Sequence, residues 1–122
     1  MVQQHDLLDG NSHVIIGDEA GFEMTNTKNC VLVGKGSGKN TNGEEPNGLV
    51  AIGYESAEAN TDGRYNTALG FRALEANTDG DSNTALGYQA LKTMDPSSGA
   101  ATCNTAVGQG AGQTVTTGIN NT

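Results

Sequence analysis

One short arrangement of apolar and polar positions recurs along the whole chain. Its clearest copies are Asn66-Thr67-Ala68-Leu69-Gly70-Phe71-Arg72-Ala73-Leu74 and Asn83-Thr84-Ala85-Leu86-Gly87-Tyr88-Gln89-Ala90-Leu91. A third runs from Asn104 to Ala111, and looser copies surround Gly17, Gly34 and Gly53. Aligned on the central glycine, the anchors are Gly17, Gly34, Gly53, Gly70, Gly87 and Gly108, with gaps of 17, 19, 17, 17 and 21 residues. One residue before each anchor is a large aliphatic: Ile16, Val33, Ile52, Leu69, Leu86 and Val107. Three before is always β-branched, from Val14 to Thr105, and three after is always Ala or Ser. Alternation with β-branched enrichment predicts one short strand per repeat, ended by a glycine that allows a bend or close backbone approach. A period near 17 that absorbs small insertions predicts a repeat fold. The expected class is all-β: a parallel β-solenoid of about 17 residues per rung, with residues 1–122 forming a single repeat domain.

This pattern leaves two columns to place. The large aliphatics one before the anchor are expected to fill the interior. The smaller column two before it, including Ala51, Ala68, Ala85 and Ala106, is then expected to pack closely against a neighbouring chain. Helices are disfavoured, because glycine costs about 1 kcal/mol at each helix-interior position. The Asn-Thr-Asp-Gly segments at 60–63 and 77–80 read as turns whose Asp-Gly steps supply positive φ. The two long gaps fall at Lys39–Pro46 and Thr93–Thr102, which hold both prolines and are expected to bulge outward.

Composition sharpens this picture. Aromatics are 4 % of the chain and there is no Trp, so little bulk exists for a conventional core, whereas 18 glycines suit recurring turns. A slim solitary coil of this composition buries little apolar area for the backbone it must order, which points to association of identical copies. The net charge of −8 with scattered Lys and Arg argues against nucleic acid and anionic lipid. No apolar run reaches the length of a membrane span, so no membrane insertion is expected. Cys30 and Cys103 lie about four rungs apart, roughly 19 Å at 4.8 Å per rung, beyond the reach of a disulfide within one chain. Buried free thiols are the expectation, with a bridge between chains as the alternative.

The segment Leu49-Val50-Ala51-Ile52-Gly53-Tyr54-Glu55-Ser56-Ala57-Glu58-Ala59 resembles the head repeats of trimeric autotransporter adhesins. The downstream copies, with Asn-Thr-Ala-Leu-Gly-Tyr-Gln-Ala-Leu and an Asn-Thr-Asp-Gly spacer, are similar to repeats of bacteriophage tail fibres. The resemblance covers about Ser12 to the end, though the adhesin repeat is slightly shorter. It implies a left-handed β-roll assembled as a homotrimer. It also implies a structural and adhesive role in a virion tail fibre or at a cell surface, with contacts to a bacterial glycan or protein receptor. Repeats that break off at both ends fit a segment of a longer fibre.

Few residues suggest other chemistry. His5 and His13 are not matched to a nucleophile motif, and no catalytic group is expected. Asp62, Asp79 and Asp81 lack the register of calcium-binding repeats and read as turn formers, so no metal or cofactor is expected. Two other coils form the alternatives. An acyltransferase-like left-handed β-helix would need its aliphatic-Gly unit three times per turn and a histidine after the coil. An ice-binding solenoid would need a flat Thr-x-Thr face. One column stands out as a candidate site: directly after the anchor, Tyr54, Phe71 and Tyr88 occupy three consecutive rungs, either as a stacked interface ladder or as a receptor-contact strip.

Overall fold

A computed structural model describes residues 12–43, 47–96 and 99–122. It contains six three-residue strands: β1 (Val14–Ile16), β2 (Val31–Val33), β3 (Val50–Ile52), β4 (Thr67–Leu69), β5 (Thr84–Leu86) and β6 (Thr105–Val107). They pair in sequence order as one six-stranded parallel sheet, each strand stacked directly on the next turn of the coil. The register keeps equivalent repeat positions together, for example Ala51 on Ala68 and Ala68 on Ala85. The chain is thus a β-solenoid with one strand per rung, and the rest of each rung is turn.

Rung-to-rung hydrogen bonding continues far beyond the strands. Arg72 N–H donates to Tyr54 O at 2.9 Å, Leu74 N–H to Ala90 O at 2.9 Å, and Thr61 N–H to Thr78 O at 3.0 Å. Backbone groups in these turns therefore find partners in the neighbouring rung, as buried backbone must. The tight path demands left-handed conformations at fixed offsets from the anchor. Two and four residues after it lie Arg72 (φ 53°) and Leu74 (φ 54°), and five before it lie Tyr65 (φ 55°) and Ser82 (φ 61°). The Asp-Gly turns do not supply these, since Gly63 and Gly80 are absent from the positive-φ positions. They are glycine for space: a Cβ at Gly63 would lie 2.6 Å from Asn60 Oδ1 and 2.7 Å from Gly80 O.

The two faces of the strand are reversed from the expected arrangement. Ala51, Ala68 and Ala85 are fully buried inside their own coil, with Leu32 below them in the same column. Ile16, Leu69, Leu86 and Val107 instead point outward and are 38–64 % exposed, while Val33 and Ile52 are half-buried. Alanine therefore does not face a neighbouring chain, and the large aliphatics do not fill the interior. The physical reason is volume. Inward leucines come from the turns: Leu74 and Leu91, four residues after the anchor, accompany the small Ala68 and Ala85, and Leu49, four before it, serves the rung that carries Ala51 and Ala57. Where the strand itself contributes Leu32, the turn carries Gly38, whose added Cβ would lie 2.6 Å from the Leu32 side chain. Large and small residues trade places across a core too narrow for two large ones.

A second interior feature is a ladder of buried asparagines. Asn66, Asn83 and Asn104, four residues before their anchors, are fully or almost fully buried, as are Asn60 and Asn77. Asn66 Oδ1 accepts from Asn83 N–H at 2.8 Å, and Asn83 Oδ1 accepts from Asn104 N–H at 3.1 Å and Thr102 Oγ1 at 2.7 Å. Asn66 Nδ2 donates to Gly80 O at 2.7 Å, and Asn77 Nδ2 donates to Asn60 Oδ1 at 3.0 Å. These side chains tie each rung to the next, and their amides are satisfied by one another and by the backbone except at Asn77 Oδ1, which has no partner among the described residues.

Candidate functional site: the outer face of the sheet

The coil turns a continuous apolar surface outward. Its two strand columns are the aliphatics one before the anchor and the β-branched residues three before it. Val14, Ile16, Leu69, Leu86 and Val107 are all exposed on it. A surface apolar in every rung is unusual for an isolated soluble chain, whose exposed apolar patches are normally small. Thr67, Thr84 and Thr105 form one outward column on this face, paired rung on rung, so threonine is arrayed more regularly than the sequence suggests.

The anchor glycines let successive rungs stack this closely. A Cβ on Gly53, Gly70 or Gly87 would sit 2.5 Å from the carbonyl oxygen of the anchor in the next rung. These backbones also adopt φ of 133° to 136°. The glycine column lets the sheet edge stack at rung spacing and turn sharply into the aromatic column.

Tyr54, Phe71 and Tyr88 stack as a ladder, with ring centroids 5.0 and 5.3 Å apart and planes 13° and 12° from parallel. All three are 39–48 % exposed. The Arg72 guanidinium lies beside the ladder, 6.0 Å from the Tyr54 centroid and 5.5 Å from that of Phe71. This geometry limits what the strip can contact. Both faces of Phe71 are taken by its neighbours, so the ladder offers ring edges to a partner and no open stacking platform at its centre.

Beside the rings lies a lattice of ion pairs between rungs. Arg72 Nε meets Glu55 at 2.7 Å and Glu75 at 3.7 Å, and Lys92 Nζ meets Glu75 at 3.6 Å. Lower on the coil, Lys35 pairs with Asp18 at 3.2 Å and Lys39 with Glu19 at 3.0 Å. Glu55, Glu58 and Glu75 offer oxygens within 4.8 Å of one another. Arg72 and Lys92 pair with Glu55 and Glu75, so two of the three carboxylates belong to the ion-pair lattice of the coil surface and Glu58 stands outside it. The neighbouring Tyr54 side chain, followed by Arg72, holds the Glu55 carboxyl below its ordinary value. Burial, followed by the charge of Glu55, pushes Glu58 up. A raised folded-state value means that the Glu58 contribution is present below the ordinary glutamate range and lost as pH rises through the raised value. Glu58→Gln should therefore raise the melting temperature at neutral pH, with a gain that fades on acidification. The check is a series of thermal melts from pH 7 to pH 4.

The remaining sequence candidates are dispersed. The turn aspartates spend their oxygens on the coil: Asp81 Oδ1 accepts from Arg64 N–H at 2.7 Å and Asp79 Oδ1 from Thr61 Oγ1 at 3.1 Å. His13 is half-buried and its Nδ1 accepts from Cys30 N–H at 3.2 Å. His5 lies outside the described residues. Both cysteines are free; Cys30 is buried as expected, whereas Cys103 is exposed, because it occupies an outward turn position. Among the described residues no helix is long and apolar enough to cross a membrane. Compared with known proteins, the chain matches no family model, no curated protein and no solved structure.

Proposed function

We propose that this chain is a structural and adhesive fibre segment that works by association of identical copies through the outer face of its sheet. The carrying observation is that face: aliphatic in all six rungs, and exposed in the single coil at Val14, Ile16, Leu69, Leu86 and Val107. A stiff rod stabilised rung by rung, with an apolar seam along it, is suited to bundling and to displaying receptor contacts on its remaining surface. The repeats it resembles support a homotrimer of left-handed coils in a tail fibre or surface adhesin, acting without enzymatic chemistry. The aromatic ladder then flanks the seam, with its ring edges available to a neighbouring copy or a receptor.

Leu86→Asp tests this reading. Leu86 is 38 % exposed, so the single coil should tolerate the change with a normal circular dichroism spectrum. In the assembly the carboxylate would be buried among aliphatics without a partner, and light scattering should report dissociation. An unchanged oligomeric mass for a folded variant would remove this face as the interface. One observation favours a second reading: the regular Thr67, Thr84 and Thr105 column, which resembles the array an ice-binding solenoid requires. The adjacent column is Leu69, Leu86 and Val107 rather than threonine, which places that reading second. Thermal hysteresis of the unmodified protein would reverse the order.

A further inference from the structure

Two corners bound the outer face of a rung. One is the anchor, where Gly70 has φ of 136°, and the other lies five residues earlier, where Tyr65 has φ of 55°. Exposed side chains alternate from Tyr65 through Thr67 and Leu69 to Phe71, so in this rung the face carries an aromatic on each flank. The flank after the anchor is the ladder already described. The flank before the strand reads Asn29, Gly48, Tyr65, Ser82, Cys103 and Asn120, and Tyr65 is its one aromatic. Tyr65 is 63 % exposed. Its ring leans onto Gly48 in the rung below, where an added Cβ would lie 3.3 Å from Tyr65 Cδ1. One side of the ring therefore rests on backbone and the other is open. This places the ring between the rungs of β3 and β4, level with the stacked pair Tyr54 and Phe71, whose centroids are 5.0 Å apart.

We infer that Tyr65 of one copy packs against the ring edges of Tyr54 and Phe71 in the next copy, and that this contact is the aromatic anchor of the assembly. The inference rests on the self-association proposed above and names the side chains that clasp it. In a closed ring of identical coils about an axis along their length, each level of one copy meets the same level of its neighbour. The flank after the anchor on one copy then meets the flank before the strand on the other. The ladder has only edges to offer, because its ring faces are taken up by stacking. Tyr65 has an open face to offer. Edge on face is a favoured meeting of aromatic rings, since the edge is electropositive and the face electronegative. A large tyrosine held at one height and flanked by aliphatics has the features of an interface anchor. Phe22 is nearly as exposed, at 59 %, but lies five residues after its anchor and outside this face, so the same geometry gives it no partner.

Dilution followed by light scattering, together with a photo-cross-link, tests this contact. Tyr65→Ala should keep the circular dichroism spectrum of the unmodified protein, since the side chain lies outside the coil. It should raise the concentration at which the oligomer half-dissociates by on the order of tenfold or more. Tyr65→Phe, which keeps the ring, should assemble as the unmodified protein does, and Phe22→Ala should change nothing. A benzophenone-bearing phenylalanine in place of Tyr65 should join two chains on irradiation. Mass spectrometry of the digested product should then find the adduct on the neighbour's Tyr54 or Phe71. The cross-link decides alone if Tyr65→Ala disturbs the fold. A monomeric unmodified protein overturns the self-association itself. An oligomer that Tyr65→Ala leaves as tight as before overturns this contact alone, as would a cross-link that lands elsewhere on the neighbour or stays within one chain.

Discussion

Gly70→Ala should unfold the coil or lower its melting temperature by on the order of 10 °C or more. The added methyl would lie 2.5 Å from Gly87 O and 2.7 Å from Gly87 C, both backbone atoms held in place by the next rung. Gly70 also has φ of 136°, a conformation that costs an L-residue about 1–3 kcal/mol. Overpacking against an immobile neighbour adds about 1–3 kcal/mol, and together these approach the whole stability of a small domain. Gly108 supplies the internal control. It has φ of 125°, but nothing lies within 4 Å of the place its added methyl would take. Gly108→Ala should therefore show only the conformational part of the penalty. Equal losses at the two positions, measured by thermal and urea melts, would mean that rung stacking is not what requires the glycine.

Asn83→Ala is expected to be the next most damaging single change. Asn83 is almost fully buried, and its Oδ1 is the acceptor for both Asn104 N–H at 3.1 Å and Thr102 Oγ1 at 2.7 Å. Truncation leaves the buried Asn104 N–H without a partner, while the Thr102 hydroxyl keeps Asp81 O at 3.1 Å, so a loss of about 1–3 kcal/mol follows. Ser82→Ala, one residue away and exposed, should stay within about 0.5 kcal/mol. Hydrogen exchange on the unmodified protein gives a second readout, since the Asn104 amide should be strongly protected. Urea melts that place Asn83→Ala beside Ser82→Ala would show the ladder to be dispensable.

Much of this architecture was legible in the sequence, because a repeat states its own register. Once Gly70 is aligned with Gly87, parallel pairing of Ala68 with Ala85 and stacking of Phe71 with Tyr88 follow. Which side of the strand faces inward did not follow. Alternation says only that Ala68 and Leu69 point in opposite directions, and size favoured burying leucine. The overlooked signal lies outside the strand, where Leu74 and Leu91 accompany Ala68 and Ala85 while Gly38 accompanies Leu32. That compensation between positions six residues apart marks two residues sharing one space. The asparagines were hidden for another reason. Beside Thr, Asp and Gly they read as turn formers, yet Asn66, Asn83 and Asn104 recur at a fixed offset that a solvent-exposed turn does not require. The face that carries the proposed function was visible as a list of aliphatic residues, and became a surface only when the alanines were placed inside.

The native mass of the unmodified protein in solution tests the central claim most directly. Multi-angle light scattering over a range of micromolar concentrations should give a multiple of the 12.5 kDa chain, about threefold for the proposed trimer. A mass of one chain across that range, with the outer face open to water in a stable folded coil, would contradict the account.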